Sequence, residues 1–190
     1  MKLAIFDMDG TLYNTNDVNY YAYKEALQKY NVDIDYDYYC KYCNGRHYKI
    51  FIPKLVNYEE AKVEAIHDLK KTYYSKNLDK VIINEHLFNI IKLIHGEYKT
   101  ALVTTASKRN TLEILEYTNT KDYFDLILTA EDVKATKPNP EGFNKAIAMF
   151  NVLPENTIIF EDSEVGIEAA RKTGASVMVV DKMVSMKDQG

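Results

Sequence analysis

Five short apolar runs, Leu3–Phe6, Ala101–Val103, Leu126–Leu128, Thr157–Phe160 and Val177–Val180, recur along the chain, each with a helical pattern before or after it. Runs that are apolar throughout, instead of alternating with polar residues, suit strands buried on both faces. Helices between such strands serve as crossovers, so the rhythm predicts an α/β fold built on a parallel sheet. The helices carry their own punctuation. Leu87, Ile90, Ile91 and Ile94 share one face, and Gly96 stands where a left-handed cap is wanted. Asn139 and Pro140 offer a cap and first turn for a second helix; Ser163 caps a third that runs through Ile167 and Ala170 and stops at Gly174.

The rhythm breaks between about residues 15 and 80. Tyr20, Tyr23, Leu27 and Tyr30 recur at helical spacing there, and no convincing strand appears. Thirteen of the sixteen tyrosines lie between Tyr13 and Tyr74, so this stretch differs in composition from its surroundings. At 190 residues the chain has room for one core domain and a small insert. The expected division is residues 1–14 and 81–190 as the sheet domain, with residues 15–80 as an all-α cap that could close over a site. Aromatic residues at helical spacing usually form the core of a small domain, which is the preferred reading here over sugar or base stacking.

Charge and the N-terminus narrow the partners. A net charge of -4 provides no positive field for nucleic acid or anionic lipid. The first apolar stretch turns acidic at Asp7, too soon for a secretory signal or membrane span, so a cytoplasmic location is expected. Cys40 and Cys43, with His47 beyond them, are too few for a disulfide framework. They lack a second cysteine pair for zinc and the strand-to-helix junction of a redox motif, and are read as packing thiols.

In open parallel sheets, ligands are bound at the carboxyl ends of the strands. Those ends carry Asp7 and Asp9 after the first run, Thr104 and Thr105 after the second, Lys137 beyond the third, and Glu161 and Asp162 after the fourth. Clustered carboxylates repel unless a cation neutralises them. Magnesium suits an all-oxygen set, and Asp7, Asp162 and the Asp9 carbonyl could hold it, with Glu161 nearby. Phosphoryl transfer needs an in-line nucleophile, for which Asp7 would form an acyl phosphate, and charge stabilisation of the transferring oxygens by the Thr104 hydroxyl and the Lys137 ammonium. Thr105 replaces Thr104 if the strand register slips by one. Asp9, two residues past Asp7, would give a proton to the leaving group and later take one from water.

The motifs Phe-Asp-Met-Asp-Gly-Thr-Leu, Leu-Val-Thr-Thr-Ala-Ser, Lys-Pro-Asn-Pro-Glu-Gly-Phe and Phe-Glu-Asp-Ser-Glu-Val-Gly-Ile-Glu-Ala-Ala, in that order, resemble the four motifs of the haloacid dehalogenase superfamily. The likeness is to its phosphatase and β-phosphoglucomutase-like branch with a helical cap. It implies a Rossmann-like core and a magnesium-dependent phosphoaspartate mechanism, with Asp7 as nucleophile, Asp9 as acid/base, Thr104 and Lys137 on the phosphate and Asp162 as the distal metal ligand. Asn44-Gly45-Arg46-His47 looks like the segment through which family caps reach substrate, which would make Arg46 and His47 substrate contacts; Lys70 falls where related mutases have a cap lysine.

The expected activity is a phosphomonoester phosphatase acting on a small phosphorylated metabolite, such as a sugar phosphate. One alternative passes the phosphoryl group to a sugar hydroxyl in place of water. A dehalogenase is disfavoured because displacing halide needs neither Asp9 nor a metal. A non-catalytic phospho-ligand-binding or receiver-like module is the reading from another class. Which substrate is used and the oligomeric state are not encoded in any of these patterns.

Overall fold

The computed structural model describes residues 1–181 and 183. In chain order, the elements begin with strands β1 (Lys2–Phe6) and β2 (Tyr13–Asn14), then helices α1 (Asn16–Gln28), α2 (Tyr36–Tyr42), α3 (Tyr48–Leu55) and α4 (Glu60–Lys76). There follow β3 (Ile82–Ile83), α5 (Glu85–Ile94), β4 (Tyr98–Val103), α6 (Lys108–Tyr117) and β5 (Leu126–Leu128). The chain continues through α7 (Glu141–Met149), β6 (Thr157–Glu161), α8 (Glu164–Arg171) and β7 (Ser176–Val179). Two compact units result, residues 1–14 with 82–190 and residues 15–81.

The first unit holds a five-stranded sheet in the order β5-β4-β1-β6-β7, with every pairing parallel. The α/β class expected from the apolar runs is what the structure has. Its central strand shows why those runs do not alternate. Leu3 and Ile5 face a core shared with Val103, Leu128, Phe143, Ile147 and Ile159, while Phe6 on the opposite face stacks on Phe160 at a ring-centroid distance of 4.6 Å. With both faces covered, every position from Leu3 to Phe6 is buried, and polar residues have no place there.

Some local expectations shift. A two-stranded antiparallel ribbon pairs Tyr13 with Ile83 and Asn14 with Ile82. Two residues a side are too few to leave a periodic signature in sequence. On α5, Phe88 takes the core place expected of Ile90, which is 37% exposed, because the buried stripe follows Leu87, Phe88 and Ile91. Gly96 has φ +99°, consistent with its reading as a left-handed stop. At α7 the cap is displaced by one residue: Pro140 takes the cap position and the Asn139 carboxamide accepts from Glu141 N–H at 2.9 Å. Ser163 caps α8 by accepting from Gly166 N–H at 3.1 Å, and Gly174 follows the helix at φ +79°.

The second unit packs α1 to α4 around Tyr20, Tyr23, Leu27, Tyr39, Phe51 and Ile66. Tyr20 meets Tyr36 edge-on at 4.8 Å and Tyr23 meets Phe51 edge-on at 5.1 Å, so the tyrosines at helical spacing are core, as read from sequence. Cys43 is buried in that core, and burial pushes its thiol up to about 11. Lys70 is buried too, its ammonium 4.5 Å from the Tyr74 ring centre and 5.3 Å from that of Tyr23. Among the described residues no helix is long and apolar enough to cross a membrane.

Ile5, fully buried in the middle strand, tests the role of this core. Truncation by Ile5→Ala should lower unfolding free energy by about 2–5 kcal/mol, through lost burial and an unfilled cavity. Urea titration of the two proteins measures it.

Candidate active site

β1 lies at the centre of the sheet, with Phe6 in register with Leu102 on one side and Phe160 on the other. The backbone N–H of Asp7 then donates to the Phe160 carbonyl at 3.0 Å, carrying the pairing one residue past the strand and setting Asp7 beside the end of β6. The chain next turns sharply. The Met8 carbonyl accepts from both Leu12 and Tyr13 N–H at 3.0 Å, and Gly10 adopts φ +94°. That turn brings the Thr11 hydroxyl onto Asp162 Oδ1 at 2.9 Å. It also presents the bare face of Gly10 to the same carboxylate: a Cβ there would lie 2.2 Å from Asp162 Oδ2.

Asp7, Glu161 and Asp162 thus converge, each offering an oxygen within 4.8 Å of the others. Lys137 reaches this cluster from the loop before α7, donating to Asp7 Oδ1 and, at 2.7 Å, to Glu161 Oε1. Both carboxylates and the ammonium are almost wholly shielded from solvent. Burial pushes the Asp7 carboxyl up to about 7; Lys137 works against that, while Glu161 and Asp9 add to it. Burial likewise raises Asp162. For Lys137, burial pulls its pKa down, but the charges of Asp7 and Glu161 outweigh it and hold the ammonium above its ordinary value.

Three carboxylates and one ammonium leave the cluster short of positive charge, which adds to the burial that raises Asp7 and Asp162. The donors are all oxygen and of the hard type that suits a divalent cation. Asp7 and Asp162 could hold one. Glu161 belongs to the same group, but both its oxygens already accept bonds, Oε1 from Lys137 and Oε2 from Ser163 N–H at 2.7 Å and Ser163 Oγ at 3.1 Å.

The remaining sequence candidates fall as follows. Thr104 is buried at the end of β4, its N–H on the Leu128 carbonyl at 3.0 Å and its Oγ accepting from Ala106 N–H at 3.0 Å. Thr105 is exposed. Thr104, Thr105 and Lys137 line a common cavity with Thr136, Asn139 and Phe143. Asp9 is half-buried in the loop after β1. Arg46 and His47 lie exposed in the turn between α2 and α3 of the helical unit, where the His47 ring accepts from Lys49 N–H at 3.3 Å. Cys40, Cys43 and His47 form no ligand cluster among the described residues.

Several residues that build the site carry no catalytic signature. The Glu141 carboxylate accepts from the N–H groups of Lys134 and Ala135 at 2.8 and 2.9 Å, clasping the loop that carries Lys137. Thr11 anchors Asp162 in the same quiet way. Both lie inside motifs whose acids and lysine draw attention first.

A parallel sheet with a buried acidic cluster that could hold a metal ion, and a lysine bound to it, is an α/β fold with a candidate active site at its central strands. Residues 4–180 match the model of the haloacid dehalogenase-like hydrolases, and the chain belongs to that family. It is 30% identical to a phosphorylated carbohydrates phosphatase of Thermotoga maritima, over 92% of this chain and 82% of that one. It is 27% identical to a pyrophosphatase of Halalkalibacterium halodurans, covering 99% and 87%. Among solved structures, a β-phosphoglucomutase from Clostridium difficile superposes with a TM-score of 0.72 at 25% identity, covering 99% of this chain and 88% of the other. The chain is a hydrolase by family, among relatives that include named phosphatases.

Protons and a divalent cation should compete for this cluster. A carboxyl whose folded pKa lies above its unfolded value costs stability as pH rises through the interval between them, which for Asp7 spans 3.8 to about 7. A bound cation removes that cost. Added divalent cation should therefore raise the melting temperature more at pH 8 than at pH 5, as read by parallel thermal melts with cation and with EDTA; equal shifts at both pH values would count against the cluster as its site.

Proposed function

We propose that the chain is a magnesium-dependent phosphomonoester phosphatase that acts on a small phosphorylated metabolite, a sugar phosphate or a compound like it, through an aspartyl-phosphate. The observation that carries this reading is the Lys137 ammonium held by Asp7 and Glu161 within a buried acidic site. A phosphate dianion entering such a site needs cationic partners, and a carboxylate beside them can act as its nucleophile.

Asp7 supplies the oxygen that bonds to phosphorus as the bond from phosphorus to the leaving oxygen breaks. Asp9 passes its proton to that departing alkoxide. In the second half, Asp9 takes a proton from water, the water oxygen bonds to phosphorus, and the bond from Asp7 to phosphorus breaks to return the carboxylate and inorganic phosphate. Lys137 holds the phosphoryl oxygens throughout. The Thr104 oxygen already accepts from Ala106 N–H, so its own hydrogen serves as donor to a phosphoryl oxygen. Magnesium held by Asp7, Asp162 and the Asp9 carbonyl would offset the charge of both nucleophile and phosphate. Glu161 completes the acidic set and keeps Lys137 in place, while Thr105, exposed beside Thr104, stays the alternative hydroxyl. Arg46 and His47 remain the proposed substrate contacts of the cap.

The likeness to a β-phosphoglucomutase supports a second reading, in which a sugar hydroxyl takes the place of water. Comparing inorganic phosphate release with glucose 6-phosphate formation from β-glucose 1-phosphate separates the two.

With magnesium and a panel of sugar phosphates, steady-state assays should show turnover that EDTA abolishes and magnesium restores. Asp7→Asn should reduce kcat by on the order of a thousandfold or more, and Lys137→Ala should reduce kcat/KM by about 100- to 1,000-fold. Undiminished activity of the Asp7 variant would end the phosphoaspartate reading.

A further inference from the structure

Gly166 lies in the first turn of α8, buried, and is not among the residues with positive φ. Nothing in its backbone conformation calls for glycine, and helix propensity by itself favours alanine at such a position. The reason lies in the space beside it. An added Cβ would stand 1.7 Å from Glu161 Oε1, 2.0 Å from Glu161 Cδ and 2.6 Å from Oε2, far inside any tolerated contact. The Glu161 carboxylate therefore occupies the space beside the helix backbone where a side chain would otherwise be.

That carboxylate is held from two sides. It is 1% exposed, and its oxygens are fixed by Lys137 Nζ at 2.7 Å, Ser163 N–H at 2.7 Å and Ser163 Oγ at 3.1 Å. Moving it aside means giving up these bonds together, and with them one of the two carboxylates that locate the Lys137 ammonium.

We propose that Gly166 is a positioning residue, whose missing side chain lets Glu161 lie against α8 and so fixes Lys137 where it meets the phosphoryl group. The chain of contact runs from Gly166 to Glu161 to Lys137, and the glycine itself touches no substrate. The inference rests on reading Lys137 as the phosphoryl-binding cation.

Three proteins test it: Gly166→Ala, Glu161→Asp and the two changes combined, the shorter acid withdrawing its carboxylate from the added methyl. Gly166→Ala should lose about tenfold or more in kcat/KM, with competitive inhibition by inorganic phosphate weakened by a similar factor, as for loss of a fixed charge contact. The combined variant should recover phosphate affinity and melting temperature relative to Gly166→Ala, although Glu161→Asp alone is worse than wild type. Wild-type phosphate inhibition in Gly166→Ala, or a combined variant no better than Gly166→Ala in both phosphate affinity and melting temperature, would overturn the proposal. Should Gly166→Ala fail to fold, the combined variant is expected to fold, and its failure would overturn the proposal equally. Turnover that survives Asp7→Asn would instead defeat the phosphoaspartate reading, while the contest between methyl and carboxylate would still be decided by the melting temperatures of the three variants.

Discussion

The ion contact of Lys137 with Asp7 and Glu161 is the constraint around which the sheet domain is organised. Acids gathered out of solvent are unfavourable companions, and their raised pKa values at Asp7 and Asp162 register that cost. Lys137 offsets part of it from a loop 130 residues away from Asp7 in sequence. The same imbalance is what a bound cation at Asp7, Glu161 and Asp162 would relieve. Stability and chemistry therefore pull in different directions at one place, as is common where function is installed on a fold.

Two glycines make the crowding possible. Gly10 leaves room for the Asp162 carboxylate, and Gly166 for that of Glu161, each by lacking a methyl group where an acid must lie. Gly10 has a second reason, since its φ of +94° turns the loop after β1 sharply enough to bring Thr11 onto Asp162. Gly166 has only the first. Around them, hydrogen bonds from Ser163 and Thr11 and the clasp of Glu141 on the Lys137 loop hold the charged groups in their places. Such supporting contacts are what keep a charged group within a fraction of an ångström of its working position.

The helical unit solves a different problem. It has no sheet to bury, so α1 to α4 close around their own aromatic rings, and the edge-on pairs of Tyr20 with Tyr36 and Tyr23 with Phe51 give that small core directional contacts. Lys70 is accommodated there against the faces of Tyr23 and Tyr74, an environment that favours a cation even when water is excluded. The concentration of tyrosine in one third of the chain is thus a packing solution in its own right.

The sequence alone determined the parallel sheet through its recurring apolar runs, most fully at Leu3–Phe6, which is apolar throughout and buried; the last run is the exception, since Met178 and Val179 on the edge strand β7 are exposed. It also placed Asp7, Thr104 and Glu161 at the ends of β1, β4 and β6, since each follows directly on an apolar run. Tertiary structure decided what those groups do to one another. That Glu161 binds Lys137, that burial raises the Asp7 carboxyl, and that Phe88 displaces Ile90 from the core follow from how remote parts of the chain pack together. The two-residue ribbon of Tyr13–Asn14 with Ile82–Ile83 is too short to leave a pattern, and exists only because the chain on either side of the helical unit returns to the same place. Local pattern carries periodicity and residue type; proximity, burial and charge coupling arise only when the chain is folded.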